Sequence, residues 1–380
     1  MSQKIYLDHN ATTPVCAPAR DAMLRALREP WGNPSSVHWA GAAARAAVEQ
    51  ARAQVATAIG VRPDTITFTS GATESINTVL LGAVAGDGGG EIVLCTTEHP
   101  ASLETAQALR TRGVEVRLLE VGRDGRLAPE LFASALSERT RLASVMWVNN
   151  ETGVIQPIAE LSRIARERGV PFHTDAAQAL GKLSLDLARL DVDFASFSAH
   201  KLGGPQGVGA LYCAGRRVAP LLRGGAQERG TRPGTENVPG IVGFGAACVE
   251  ATDDLDLRAT RLARLRDSLW SSIEKTVSRV HRNGSAEHVV SQTLNVSFPG
   301  APAETLVEAL DLAGIAVSSG TACHSGSSEP SHVLRAMGLE SELCVSAIRL
   351  SFGASSRTSD VDVLLEILPR VVERVREAHE

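Results

Sequence analysis

From about residue 20 to residue 250, short apolar runs alternate with longer stretches of helical composition. The strand-like runs fall at 65–70, a β-branched Thr-Ile-Thr-Phe-Thr-Ser, and at 91–95, 114–119, 142–148, 170–173 and 194–198. Helices are predicted over 17–27, over the alanine-studded 40–59, and over 102–111 and 158–168. Strands alternating with helices predict an α/β fold, a mostly parallel, doubly wound sheet with helices on both faces. Ligands of such sheets bind at the carboxyl ends of the strands, and the polar motifs of this chain fall there. Beyond residue 253 the texture changes to an arginine-rich helix at 255–277, strands at 293–298 and 347–352, and a closing amphipathic helix from 360. That stretch reads as a smaller α+β domain. The expected division is 14–252 for the large domain, with 1–13 joining 253–380 in the small one. There is no internal repeat, and the only low-complexity element is the glycine turn at 86–90.

At 380 residues the chain is long enough for a large core and for two domains. A hydrophobic content of 43% with 21% charged residues is that of a globular protein and not of a disordered one. The net charge of -5 argues against a broad basic footprint for direct nucleic-acid binding. The N-terminus passes into a strand-like run without an apolar segment of signal-peptide length. No apolar run approaches the ~18 residues of a membrane span, so a soluble, cytoplasmic protein is expected. The six cysteines include no C-x-x-C pair, the spacing of neither a disulfide scaffold nor a zinc site, so no metal is expected. Most read as buried small hydrophobes; Cys323 does not.

The chemistry starts from lysine. Only Lys4, Lys182, Lys201 and Lys275 occur among 38 basic residues, so arginine meets nearly every ordinary surface need. Lys201 lies in 196–205, Ser-Phe-Ser-Ala-His-Lys-Leu-Gly-Gly-Pro, where a tunable amine is useful and arginine, which cannot lose its proton, is not. Upstream, 172–175 reads Phe-His-Thr-Asp and places Asp175 at the end of an apolar run. A Schiff-base lysine with an aspartate for a pyridinium nitrogen is what pyridoxal phosphate (PLP) asks of a protein.

Other candidates carry a structural alternative beside the functional one. Gly71-Ala72-Thr73 opens a helix and offers N–H groups to an anion, or is simply a cap. Gln178 suits a cofactor oxygen or solvent. His99, in Thr-Thr-Glu-His-Pro, suits stacking and proton transfer or is an ordinary strand-end residue. Asn149 and Asn150 suit polar recognition or a turn. Arg349, inside an apolar strand, suits a bidentate clamp on a carboxylate or a structural salt bridge. Cys323, in the small polar segment 318–330, reads as an exposed thiol, which in a cytosolic protein calls for a reason. His324 reads as its assistant or as a solvated loop residue.

Taken in order, these stretches closely resemble the NifS/IscS-like cysteine desulfurases, PLP enzymes of the class V aminotransferase family with the PLP-dependent transferase fold type I. The resemblance runs from Tyr-Leu-Asp-His-Asn-Ala-Thr-Thr-Pro at 6–14 to about residue 375, through 32–36, 68–75, 148–151, 173–175, 204–212 and 228–237. The Ser-Ser-Gly-Thr-Ala-Cys segment is similar to that of the group I branch. The resemblance implies that Lys201 forms the Schiff base and later moves the α-proton, and that Asp175 keeps the pyridine nitrogen protonated. It implies that Gln178 bonds the ring hydroxyl, His99 stacks on the ring and Asn150 also contacts the cofactor. Ala72, Thr73, Ser198 and His200 would hold the phosphate, with Thr235 reaching in from the second subunit of a homodimer. Asn10, Asn150 and Arg349 would bind the L-cysteine substrate, the last two through its carboxylate. Cys323 would accept the sulfur as a persulfide and pass it to an acceptor protein, an iron–sulfur scaffold or a thiolation enzyme. A thiol of ordinary pKa is only a few per cent ionised at neutral pH, so His99 or the site's positive field is expected to help.

Three departures from the family pattern stand out. Pro100 directly follows His99, where it is unusual and bears on that histidine's setting. His324 follows Cys323 where threonine or serine is common, and Ala-Cys-His-Ser is also similar to selenocysteine lyases. The sequence ends at Glu380 without the extension that docks an iron–sulfur scaffold in some members, so both a standard scaffold and a different dedicated acceptor stay open. The alternatives are a selenocysteine lyase, a thiol-independent transaminase-like enzyme or a non-enzymatic sulfur-trafficking subunit. The joint presence of Lys201, Asp175 and Cys323 speaks against the last.

Overall fold

The structure is a computed structural model that describes residues 4–85, 89–319 and 330–379. Strand β1 (Ile5–Tyr6) is followed by helices α1 (Ala17–Arg28) and α2 (Trp39–Ala58), then by β2 (Ile66–Thr69) and α3 (Ala72–Ala83). Next come β3 (Glu91–Cys95), α4 (Pro100–Arg110), β4 (Glu115–Leu119), α5 (Pro129–Ala135), β5 (Thr140–Ser144) and α6 (Ile158–Glu167). The first half of the chain closes with β6 (Phe172–Asp175), β7 (Phe194–Ser198), β8 (Gly209–Cys213) and α7 (Val238–Thr252). The remainder holds α8 (Leu255–Thr276), β9 (His281–Arg282), β10 (Thr293–Ser297), α9 (Ala303–Leu312), β11 (Ile315–Ala316) and β12 (Ser318–Ser319). It ends with α10 (His332–Ala336), α11 (Ser341–Val345), β13 (Ala347–Ser351) and α12 (Thr358–Glu377).

The large sheet has the strand order β2-β8-β7-β6-β5-β3-β4. Strands β3 to β7 pair in parallel, whereas β8 runs antiparallel to both β2 and β7. The inner strands are buried on both faces by the covering helices, which is why they read as continuous apolar runs without alternation. One run extends past its strand. β5 ends at Ser144, yet Val145 and Trp147 still donate to the carbonyls of His173 and Asp175, at 3.1 and 2.9 Å. β6 lies two residues later than its apolar run, so Asp175 is the last residue of the strand.

A second apolar core gathers Ile5 and Leu7 of the N-terminal segment with side chains of α8, β10, α9, β13 and α12. Here β10 pairs antiparallel with β13 and β9, and β12 pairs with β13. Cys95, Cys248 and Cys344 are buried, while Cys16 and Cys213 are only partly so. Among the described residues no helix is long and apolar enough to cross a membrane.

One buried ion pair ties the loop before α7 to the sheet. Arg52 of α2 donates to both oxygens of Glu228, at 2.8 and 2.7 Å, and Glu228 also accepts from the N–H of Phe68 at 2.8 Å. Both side chains are at most 4% exposed. Removing one partner strands the other charge in the interior, although the exposed Glu49 retains a contact with Arg52. Glu228→Ala is expected to lower stability by about 3 kcal/mol, read as a drop in the urea midpoint with an unchanged slope.

Candidate active site

The carboxyl ends of the parallel strands open into a cleft of about 600 Å³. Asp175 forms part of its wall at the end of β6, Ser198 ends β7, and His200 and Lys201 lie in the turn that follows it. Ala72 and Thr73 open α3 on one side. His99, Asn150, Gln178, Asn10 and Arg349 complete the surround. Eleven of the thirteen sequence-derived candidates thus share one cavity. Thr235 does not: it is exposed on the loop before α7, away from the cleft of its own chain. Cys323, and His324 beside it, lie outside the described residues.

Lys201 ends a single 3-10 turn after β7, and its ammonium donates to the carbonyls of Asn10 and Ala11, each at 2.8 Å. The N-terminal segment therefore runs directly beside the amine. Asp175 accepts from the N–H of Ala177 at 2.9 Å. Burial pushes its carboxyl up to about 6, against the N–H bond and the charge of Lys201. A carboxylate held this dry lacks a full charge partner, and a protonated ring nitrogen would supply one.

His99 caps α4, its Nδ1 accepting from the N–H of Ala101 at 3.0 Å. Burial, then the charges of Lys201 and His332, lower it to about 4, so at neutral pH the ring is uncharged with its proton on Nε2. Pro100 occupies the first position of that helix, where its missing N–H costs nothing. The unusual proline thus starts the helix whose cap fixes the imidazole.

The other end of the cleft suits an anion. Gly71 precedes α3 without a capping side chain, leaving the N–H groups of Ala72 and Thr73 to a ligand at the positive end of the helix. β8 backs closely onto this turn: a Cβ on Gly209 would lie 2.5 Å from the Cα of Gly71 and 2.4 Å from the carbonyl oxygen of Phe197. Only glycine admits that approach. His200 hydrogen-bonds through Nδ1 with the hydroxyl of Thr12 at 3.1 Å, and burial, Lys201 and Lys182 lower it to about 4.

Both readings of Arg349 hold in part. One terminal nitrogen pairs with Asp8 at 2.6 Å and the other donates to the carbonyl of Asn150 at 2.9 Å, while the buried Nε has no partner among the described residues. The two asparagines divide their labour. Asn149 folds the turn by accepting from the N–H groups of Glu151 and Thr152, at 3.0 and 2.9 Å. Asn150 lines the cleft. Asn10 donates to Thr293 at 2.9 Å, and its buried side-chain oxygen has no partner among the described residues.

Three participants were not singled out from sequence for this site. Asp8 is the ion partner of Arg349. Glu98 lies buried next to His99, accepts from the N–H of Met146 at 2.7 Å, and is held well above the ordinary carboxyl range by burial. Lys182 donates to the side-chain oxygen of Gln178, whose Nε2 donates to the carbonyl of Asn10 at 2.9 Å. Of these, only Lys182 had a signal in the sequence, the rarity of lysine.

The aminotransferase class-V family profile matches residues 5–364. The cysteine desulfurase IscS of Dictyoglomus turgidum is 42% identical over 379 residues, covering 99% of this chain and 96% of the relative. A solved NifS-like protein superposes with a TM-score of 0.92 at 38% identity, over 98% of this chain and 100% of that one. The structure of SspA in complex with cysteine superposes with a TM-score of 0.81 at 32% identity, over 92% of this chain and 99% of that one. Similarity of this extent, over a cleft that joins a lysine amine, a buried carboxylate and an anion cradle, places the chain in a family: it belongs to the class V aminotransferases, in their cysteine desulfurase branch.

Proposed function

We propose that this protein takes sulfur from L-cysteine with bound PLP, releases L-alanine and carries the sulfur as a persulfide on Cys323. The observation that carries the reading is the meeting, in one cleft, of the Lys201 amine, the buried Asp175 and the open N-terminus of α3. These groups fit the cofactor's aldehyde, ring nitrogen and phosphate respectively. Lys201 would hold the aldehyde, Asp175 the ring nitrogen, Gln178 the ring hydroxyl and His99 a ring face. Ala72, Thr73, Ser198 and His200 would hold the phosphate, joined by Thr235 of the partner subunit in a homodimer. When bound, PLP supplies an electron sink that labilises the α-proton of the substrate and makes its sulfur electrophilic.

The chain's own residues do the rest. Arg349 and Asn150 orient the substrate carboxylate, and Arg349 arrives already fixed by Asp8, so little side-chain freedom is lost on binding. Asn10 lies beside them with one unpartnered acceptor for the substrate. Lys201 removes the α-proton. Neutral His99 accepts a proton at Nδ1 only by giving up its bond to Ala101, so its proton on Nε2 is the one available for donation. The Cys323 thiolate attacks the substrate sulfur, forming an S–S bond as the substrate's C–S bond breaks. The balance is L-cysteine plus thiol giving L-alanine plus persulfide, with the thiol proton accounting for the new C–H bond. The persulfide then passes to a sulfur-acceptor protein of the group that builds iron–sulfur clusters or thiolates other molecules. The two apolar cores support a division into 14–252 and 1–13 with 253–380, and the cytoplasm is the proposed place of action.

The test is alanine formation by purified protein loaded with PLP: one alanine per sulfur released from L-cysteine supports the reading, and none sinks it. A second expectation concerns pH. The Asp175 carboxyl titrates at about 6 in the cofactor-free protein, so its charge is present above that pH and lost below it. Cofactor affinity is therefore expected to fall below pH 6 by up to about tenfold per unit from this group alone. Spectrophotometric titrations of wild type and Asp175→Asn check this, since only wild type should show the additional proton in its slope.

A further inference from the structure

Two of the four lysines in this arginine-rich chain share one site. Lys182 donates to the side-chain oxygen of Gln178; the Nε2 of Gln178 donates to the carbonyl of Asn10 at 2.9 Å; and that same carbonyl accepts from Lys201 at 2.8 Å. One amide and one carbonyl thus join the two amines. The Lys182 amine donates, so the acceptor end of the Gln178 amide faces it. The NH₂ group turns to the carbonyl of Asn10. Lys182 and Lys201 also border a second cavity, of about 240 Å³, behind the catalytic one.

Titratable groups of both signs and three neutral histidines surround the pair. His9, His200 and Arg349 lie within electrostatic reach of Lys182, and His99 and Asp175 within reach of Lys201. Glu250 of α7 and Arg258 of α8 stand on the wall of the second cavity. No described carboxylate forms an ion pair with Lys182. Burial, then Lys201 and Arg349, lower its proton affinity well below that of an ordinary lysine.

We propose that Lys182 is a positioning residue for the reaction: by donating to the side-chain oxygen of Gln178 it sets the amide that would bond the cofactor's ring hydroxyl. The inference rests on the proposed function, because it concerns a residue assigned there to the cofactor.

The experiment is a pH titration of the visible absorbance of PLP bound to the full-length protein, for wild type, Lys182→Met, Lys182→Gln and Lys182→Arg. Met removes the donor and Gln shortens it, and both are expected to shift the absorbance pKa by about one unit; Arg keeps a donor and is expected to titrate as wild type. A purely structural role would lower the melting temperature of the variants and leave this pKa where it is. If any charge-removing variant that shows the visible band titrates with the wild-type pKa, the proposal is overturned. Absence of the band from wild type would instead overturn the proposed function.

Discussion

Replacing Cys323 by alanine is expected to lower alanine formation from L-cysteine by at least about 10³-fold while leaving the visible absorbance of bound PLP unchanged. The variant separates sulfur abstraction from everything that precedes it, since none of the groups assigned to the cofactor involves the thiol. Although Cys323 lies outside the described residues, both flanks of its segment are placed. β12 enters beside the substrate arginine, Ser318 standing opposite Arg349 across the β12–β13 pair. On the far side, Ser331 donates to Glu151 at 2.5 Å, and His332 donates to the carbonyl of Glu98, next to His99, at 3.0 Å. Both flanks of the segment therefore stand at residues around the cleft. Steady-state assay of alanine, with the absorbance spectrum recorded in parallel, checks the expectation. Alanine formation at the wild-type rate would assign the acceptor role to water, to an added thiol or to another residue.

Lys201→Ala is expected to cost more, about 10⁴-fold or beyond, because one side chain both holds the cofactor and moves the α-proton. Its geometry is specific. The amine sits just after β7, beside the N-terminal segment and in the same cleft as the helix end that suits the phosphate. Lys201→Arg is expected to be equally inactive, since a guanidinium keeps its proton and forms no comparable bond to an aldehyde. Borohydride treatment followed by peptide mapping checks the attachment, with the cofactor's mass expected on the peptide containing residue 201 in wild type alone.

Much of this was legible in the sequence, and the exceptions have physical causes. β3 and β7 have the bounds that their apolar runs predict, because continuous hydrophobicity marks strands covered on both faces. β6 was misplaced by two residues because its last turn-facing positions, Thr174 and Asp175, are polar and nevertheless buried. α7 gave no helical signal. It is apolar on nearly every face and carries Gly240, Gly243 and Gly245, which weaken helix propensity. Packing requires at least one of these: a Cβ on Gly245 would approach Ala51 of α2 to 2.8 Å.

The site was readable as residue types at strand ends, and eleven of the candidates do converge. Their partners were not readable. Arg349 and Asp8 are 341 residues apart, and nothing in either local pattern joins them. Lys182 and Gln178 are close in sequence, but that contact acquires meaning only when the N-terminal segment passes between them and Lys201. The relatives, cysteine desulfurases by name, do not favour the selenocysteine lyase alternative.

The most direct measurement is mass spectrometry of the PLP-loaded protein after a single turnover with sulfur-labelled L-cysteine, alkylated without reductant and digested. The account predicts one labelled sulfur atom added to the peptide containing Cys323, matched by one alanine released. Labelled sulfur appearing only as free sulfide, or on Cys16 or Cys213 with Cys323 unmodified, would contradict it.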